Sequence, residues 1–478
     1  MLFNSLEFLV FFPIVVALYY FLPHKYRWAL LLIASCYFYM VFVPVYIVIL
    51  GFTIVIDYFA GILLENTHGR KRKLWLIASI IANTGVLAVF KYYNFLNDNL
   101  TALLKGFTIE NPIPYLSILL PIGLSFHTFQ AMSYTIEVYR GHQKAERNFG
   151  IYALYVMFFP QLVAGPIERP QNMLHQFHEE KFIDVQRIAD GIKHIIWGMF
   201  KKVVIADRLA EYVNVVYANP GDFFGQHLII ATIFFSFQIY CDFSGYSEIA
   251  IGTAKILGIN LMMNFRRPYL STNIREFWQR WHISLSTWFR DYLYFPLGGS
   301  RVAKYRHYIN LLIVFLVSGL WHGANWTFVI WGALHGIYQV TGQLTAPYRD
   351  RVNTATGLKK FPELLKVIQI SITFILAAFA WIFFRAQSLD DAMTIIRNLF
   401  VFESGISLNL YRVPAEFGIA WAMIILLFVA EIIKEKFEFH VKLLPVPRPY
   451  NWIAVGLAVI GILVLGVWGG HNFIYFQF

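Results

Sequence analysis

Charge is scarce in this sequence. Of 478 residues only 14% are Asp, Glu, Lys or Arg, while 58% are apolar. Soluble domains carry roughly 25% charged residues, so a soluble surface for a chain of this size cannot be built from so few. Cysteine is scarcer still. Cys36 and Cys241 both sit in apolar runs, which excludes a disulfide framework and leaves no thiolate spacing for a metal. Both read as packing residues. No internal repeat and no low-complexity tract occurs, and disorder, coiled coil and a secreted scaffold are excluded with them. What is abundant is aromatic: 46 Phe, 28 Tyr and 13 Trp, 18% of the chain. The composition describes an all-α polytopic membrane protein. The formal charge of +11, from 39 basic and 28 acidic residues, would suggest nucleic acid in a soluble protein. Here basic cytoplasmic loops account for it, and no soluble stretch is long enough to form a nucleic-acid-binding domain.

Apolar runs cover 8–22, 28–43, 45–64, 74–93, 117–138, 150–165, 188–206, 227–257, 308–321, 325–344, 365–384, 415–433 and 451–469. The first lacks the basic start and small-residue cleavage site of a signal peptide and reads as an uncleaved span. Several others are short or broken by Pro, Gly or charge. The expectation is about ten to twelve transmembrane helices plus re-entrant or interfacial ones, all within a single membrane-embedded domain over 1–478. The loops at His24–Arg27 and Glu65–Lys73 are basic and two spans apart, so both belong on the cytoplasmic side. That puts the N-terminus outside. The basic loop with Lys434, Lys436, Lys442 and Arg448 puts the tail, 470–478, outside as well.

One region does not read as a span. From Arg266 to His307 seven arginines alternate with aromatics, including Phe277-Trp278-Gln279-Arg280-Trp281-His282. Tryptophan and tyrosine favour the headgroup layer and arginine snorkels there, so 266–307 is expected to be a partly inserted, interfacial segment on the cytoplasmic side. A plain surface anchor is the alternative.

Ionisable groups at membrane depth are expensive and need a reason. His322, in Ser318-Gly319-Leu320-Trp321-His322-Gly323-Ala324-Asn325, lies between two apolar runs. Histidine titrates near neutrality and can take or give a proton; a structural histidine bonded to a carbonyl is the alternative. His282 is the second candidate, against an interfacial polar tip. His127 and His335 read more readily as structural. Four histidines without Cys or Glu at ligand spacing make no metal site. The run Tyr240-Cys241-Asp242-Phe243-Ser244-Gly245-Tyr246-Ser247-Glu248 puts two carboxylates into an apolar stretch, fit either for a polar tunnel or for helix–helix hydrogen bonds. Asp57 and Glu431 read as structural.

Taken together, Phe277-Trp278-Gln279-Arg280-Trp281-His282-Ile283-Ser284-Leu285-Ser286-Thr287-Trp288 and Leu320-Trp321-His322-Gly323-Ala324 resemble the membrane-bound O-acyltransferase family. Asp242-Phe243-Ser244-Gly245-Tyr246-Ser247, Phe159-Pro160-Gln161-Leu162-Val163-Ala164-Gly165-Pro166 and Leu119-Leu120-Pro121-Ile122-Gly123 are similar to its bacterial branch of alginate and peptidoglycan O-acetyltransferases, related to the teichoic acid D-alanyl transferase. The resemblance implies tilted helices around a central funnel, with His322 as general base at the narrow point and His282 assisting. It implies acetyl-CoA as a cytoplasmic donor, with no permanently bound cofactor. Arg275, Arg280, Arg290 and Trp281 are the chemical candidates for contacting that donor. It further implies a bacterial inner-membrane location, and a separate, serine-hydrolase-like partner outside that completes transfer to a polysaccharide. The apolar tail Asn472-Phe473-Ile474-Tyr475-Phe476-Gln477-Phe478 is similar to the C-terminal motif of the small membrane peptide that accompanies the D-alanyl transferase. Tyr475 is then an acyl carrier, or else a docking residue. A transporter with a buried proton relay, or a direct lipid or protein acyltransferase, are the competing functions.

Overall fold

The computed structural model describes residues 1–117, 121–436, 448–468 and 473–474. Among the described residues helices and turns account for the whole fold, with no strand. Apolar side chains on the outside of these helices would be untenable in water. Leu6, Leu9 and Phe21 on α1 (Leu6–Phe21) are 79%, 68% and 85% exposed. Such a surface belongs in lipid, where only self-satisfied backbone is tolerated. The protein is an all-α polytopic membrane protein.

Among the described residues five helices are long and apolar enough to cross a membrane: α2 (Tyr46–Asn66), α3 (Gly69–Lys105), α4 (Gly225–Ile256), α5 (Pro362–Arg385) and α6 (Pro414–Lys436). Two shorter apolar ones are α1 and Trp452–Leu465. This is fewer than the sequence runs suggested. Some runs are divided among short helices, such as Phe149–Met157 and Phe159–Leu162. Others carry polar side chains that turn inward: Lys304–His322 and Trp326–Leu344 are 19 residues each and bury Asn310, His322, His335 and Gln339.

The chain divides into two compact units. The first comprises Met1–Trp197 with Tyr246–Met262, the second Gly198–Gly245 with Met263–Phe478. In the first, α2 and α3 pack with Leu124–Arg140 around Asp57. Its carboxylate accepts from Ser79 Oγ at 2.6 Å and Asn83 Nδ2 at 2.8 Å, and Ser79 Oγ also lies 3.0 Å from Thr135 Oγ1. One buried carboxyl group thus ties three helices. His127 likewise lies buried with Nδ1 3.3 Å from the Gly123 carbonyl.

The second unit is organised by an antiparallel pair, α7 (Lys304–His322) and α8 (Trp326–Leu344). The turn between them is short, and two glycines set their separation. A Cβ added at Gly332 would sit 2.3 Å from the Phe315 carbonyl oxygen and 3.2 Å from the Gly319 α-carbon. The two backbones therefore touch where small residues let them approach. This contact fixes the end of α7, and with it His322.

Replacing Gly332 by Leu should force the pair apart. Overpacking typically costs about 1–3 kcal/mol, and the thermal midpoint of purified protein should fall clearly. Gly342→Leu on the same helix is the control, since an added Cβ there meets nothing within 4 Å. Equal midpoints for the two variants would refute the close-contact account.

Candidate active site

His322 is the last residue of α7, and its ring is buried. Trp331 of α8 stands edge-on to it at 5.0 Å, and Phe384 of α5 at 5.4 Å. Gly323 leaves the helix in extended backbone, and a Cβ there would lie 2.1 Å from the Phe328 ring. Beside it opens a cavity of about 490 Å³ whose wall includes Gly323, Asn325, Phe328 and Arg385. Arg385 donates to Asn214 Oδ1 at 2.9 Å and lies 5.4 Å from the Tyr217 ring centre.

His282 is held differently. It joins two short helices, α9 (Ile274–Arg280) and α10 (Ile283–Phe289), with φ 43° and ψ 55°. Left-handed backbone at a non-glycine residue costs on the order of 1–3 kcal/mol and persists only where the surroundings impose it. Here a clasp imposes it. Arg266 N–H donates to the Arg280 carbonyl at 2.8 Å, and Ile283 N–H to the Asn264 carbonyl at 2.9 Å. Asn264 Oδ1 accepts from Ser284 N–H at 3.2 Å and from Ser284 Oγ at 2.9 Å. Asn264 is fully buried. A second tie comes from α6: Glu435 accepts from Arg267 Nε at 2.5 Å and from Arg280 Nη2 at 2.8 Å. The ring of His282 is buried edge-on to Phe243 at 4.6 Å. Burial holds it well below the ordinary histidine range, and the neighbouring His322 adds to that effect. Both candidate histidines are thus buried within the second unit.

The donor-site candidates are not equivalent. Arg275 and Arg290 are exposed, Arg290 beside Asp291 at 2.8 Å. Arg280 is committed to Glu435 and, at 2.6 Å, to Glu276. Trp281 is 1% exposed, packed against Phe265, Phe277 and Trp381 at 5.1, 5.5 and 5.0 Å. The aromatic half of 266–307 is therefore inserted into the unit. His335 accepts from Trp278 Nε1 at 3.2 Å, a structural role. Tyr475 lies outside the described residues.

Sequence reading also missed an ion cluster behind His282. The chain makes a π-helical turn at Phe200–Ala206 and continues as Asp207–Ala218. Lys202 Nζ lies 2.8 Å from both Asp207 and Asp242, and all three residues are buried. Asp242 Oδ2 also accepts the backbone N–H of Ile474 at 2.7 Å. Neither a motif nor a periodicity marks Lys202; an adjacent lysine pair within an apolar run was the available signal.

Residues 142–384 match the model of the membrane-bound O-acyltransferase family. A probable alginate O-acetylase of Pseudomonas aeruginosa is 39% identical, over 84% of this chain and 75% of its own length. A peptidoglycan O-acetyltransferase of Helicobacter pylori is 35% identical, over 81% and 76%. A teichoic acid D-alanyltransferase of Streptococcus thermophilus is 30% identical over 54% of this chain and 66% of its own length.

Asn264→Ala removes the acceptor for both Ser284 donors and should release His282 from its backbone conformation. Misplacing a reacting group by about 1 Å can cost 10²-fold, so turnover should fall by on the order of 10². Ser284→Ala removes only the hydroxyl donor, leaves the Ser284 N–H on Asn264 Oδ1 and should cost less. Turnover within twofold of the parent in Asn264→Ala would show that the clasp does not position His282.

Proposed function

Because the chain belongs to the membrane-bound O-acyltransferase family, we propose that this acyltransferase passes an acetyl group from cytoplasmic acetyl-CoA across the membrane, for O-acetylation of an extracytoplasmic polysaccharide such as an alginate-like polymer or peptidoglycan. The observation that carries the reading is the pair of buried imidazoles, one ending α7 and one held in strained backbone. His322 acts as general base. It takes the proton of an acceptor hydroxyl, whose oxygen attacks the thioester carbonyl. The carbon–sulfur bond breaks, and the CoA thiolate recovers the proton as a thiol. His282, neutral, offers one nitrogen as donor and one as acceptor and orients the thioester. Arg275 and Arg290, both exposed, are the cations for the CoA phosphates. Arg280 and Trp281 shape the wall, since their own contacts occupy them.

Tyr475 is the first acceptor in this scheme. A phenol has a free pKa of about 10 and is a nucleophile once a base takes its proton. The acetyl ester then passes to a hydroxyl on a separate serine-hydrolase-like partner outside, which restores the phenol, and from there to the sugar. The side assignments rest on loop charge. Lys304 and Arg306 begin α7, and Arg349, Arg351, Lys359 and Lys360 follow α8, so that end faces the cytoplasm of a bacterial inner membrane. Both termini then lie outside.

His322→Ala should lower acetyl-CoA-dependent CoA release by 10²–10⁴-fold, the usual contribution of a general base, in protein that still elutes as the parent does. Near-normal release would remove His322 from the chemistry.

Tyr475→Phe keeps the ring and removes only the hydroxyl. Polymer acetylation in cells should be lost in that variant while the partner still co-purifies. Parental acetylation would leave the tail a docking role alone.

A further inference from the structure

The buried ion cluster has an imbalance. Lys202 and Asp207 already form a neutral pair at 2.8 Å. Asp242 brings a second carboxylate to the same ammonium, 2% exposed and far from water. An extra buried carboxylate is costly unless donors satisfy it. Lys202 supplies one donor. The other is the backbone N–H of Ile474, 232 residues along the chain. Hydrogen bonds to an ionised acceptor are roughly twice as strong as neutral ones, and burial strengthens them further.

The same region grips the C-terminal segment twice more. Val467 N–H donates to the Val203 carbonyl at 2.9 Å, within the π-helical turn. Arg208 donates to the Leu465 carbonyl. π-helical turns are rare and recur at functional sites. The turn itself is pressed against α4: a Cβ at Gly245 would lie 2.8 Å from the Gly198 carbonyl and 3.2 Å from Lys202 N. The platform is therefore stiff. From the anchor to the reaction centre is one aromatic ring. Phe243, adjacent to Asp242, contacts Phe473 at 5.9 Å and His282 at 4.6 Å.

We infer that Asp242 is a positioning residue that clamps the C-terminal segment by the Ile474 N–H, one ring away from His282, and that acyl transfer through the tail depends on this clamp. The inference rests on the reading of Tyr475 as acyl carrier. Lys202 meets Asp242 and Asp207 at 2.8 Å each, which ties the clamp to the π-helical turn.

The test uses the full-length purified chain and two readouts. Carboxypeptidase Y, followed by intact mass, measures how fast Ile474 is removed. Mass spectrometry after incubation with acetyl-CoA measures acetyl on Tyr475. Asp242→Leu keeps the branched shape and removes both oxygens, while Lys202 retains Asp207. Ile474 should be removed at least tenfold faster and Tyr475 acetylation should fall at least tenfold. Asp242→Asn keeps an acceptor and should stay within twofold of the parent in both. Ile474→Pro deletes the N–H, together with the Ile side chain and the freedom of φ, and leaves the ion cluster whole; Tyr475 acetylation should fall in it as in Asp242→Leu. That variant decides the matter should Asp242→Leu fail to fold. Ile474 protected equally in Asp242→Leu and parent overturns the clamp. A released tail with unchanged Tyr475 acetylation overturns the positioning role. No acetyl on Tyr475 in the parent overturns the carrier reading and the positioning role with it, whereas the trimming rates still report the clamp itself.

Discussion

A carboxylate inside this molecule is kept only where donors meet it. Among the described residues six are buried: Asp57, Glu137, Glu168, Asp207, Asp242 and Glu431. Asp57 takes hydroxyl and amide donors from one neighbouring helix. Glu137 gathers Arg140, His142 and Gln171. Glu168 receives the Met262 N–H, and Glu431 the Tyr240 hydroxyl. Asp207 and Asp242 share Lys202. With so little charge in the chain, each such group is a tie between distant segments, and the tertiary structure is written largely in these ties.

The two candidate histidines show two ways of fixing a polar group at membrane depth. His322 is placed by packing. Its helix ends where Gly319 and Gly332 bring two backbones together, and rings of Trp331 and Phe384 stand against the imidazole. His282 is placed by hydrogen bonds, in backbone that a histidine would not choose. The strain is opposed by four clasp bonds around Asn264 and Arg266 and by Glu435 from α6. A packed helix terminus resists displacement in every direction. A clasp resists it only along its bonds, so its loss can move the ring without unfolding the unit.

What was legible in the sequence follows the same division. The all-α membrane character is a property of composition. His322 stood out because an imidazole between glycines and apolar runs breaks the local pattern, but its candidate role came from the family resemblance. Asn264 did not, for Met262-Met263-Asn264-Phe265-Arg266-Arg267 has no period or motif, and its partner Ser284 is 20 residues away. Arg280 looked like a free cation for a phosphate until Glu435, 155 residues on, was found to hold it. Trp281 looked like an amphipathic ring for the interface and is instead core. In each case the missing information is a pairing across sequence, which no local reading supplies.

The arginine-aromatic segment was the most conspicuous feature of the sequence, and in its first part rings and cations part ways. The rings of Phe277, Trp278 and Trp281 are buried, and Arg275 and Arg290 remain outside. Alternating the two residue types along a chain is how one segment can be inserted while keeping cations at its edge. Arginine suits this use because its guanidinium is weakly hydrated and always charged. Arg280 meets both Glu276 and Glu435 through its Nη2. The segment is thus both a wall of the site and its boundary with the charged surface, and the strained histidine sits where those two roles meet.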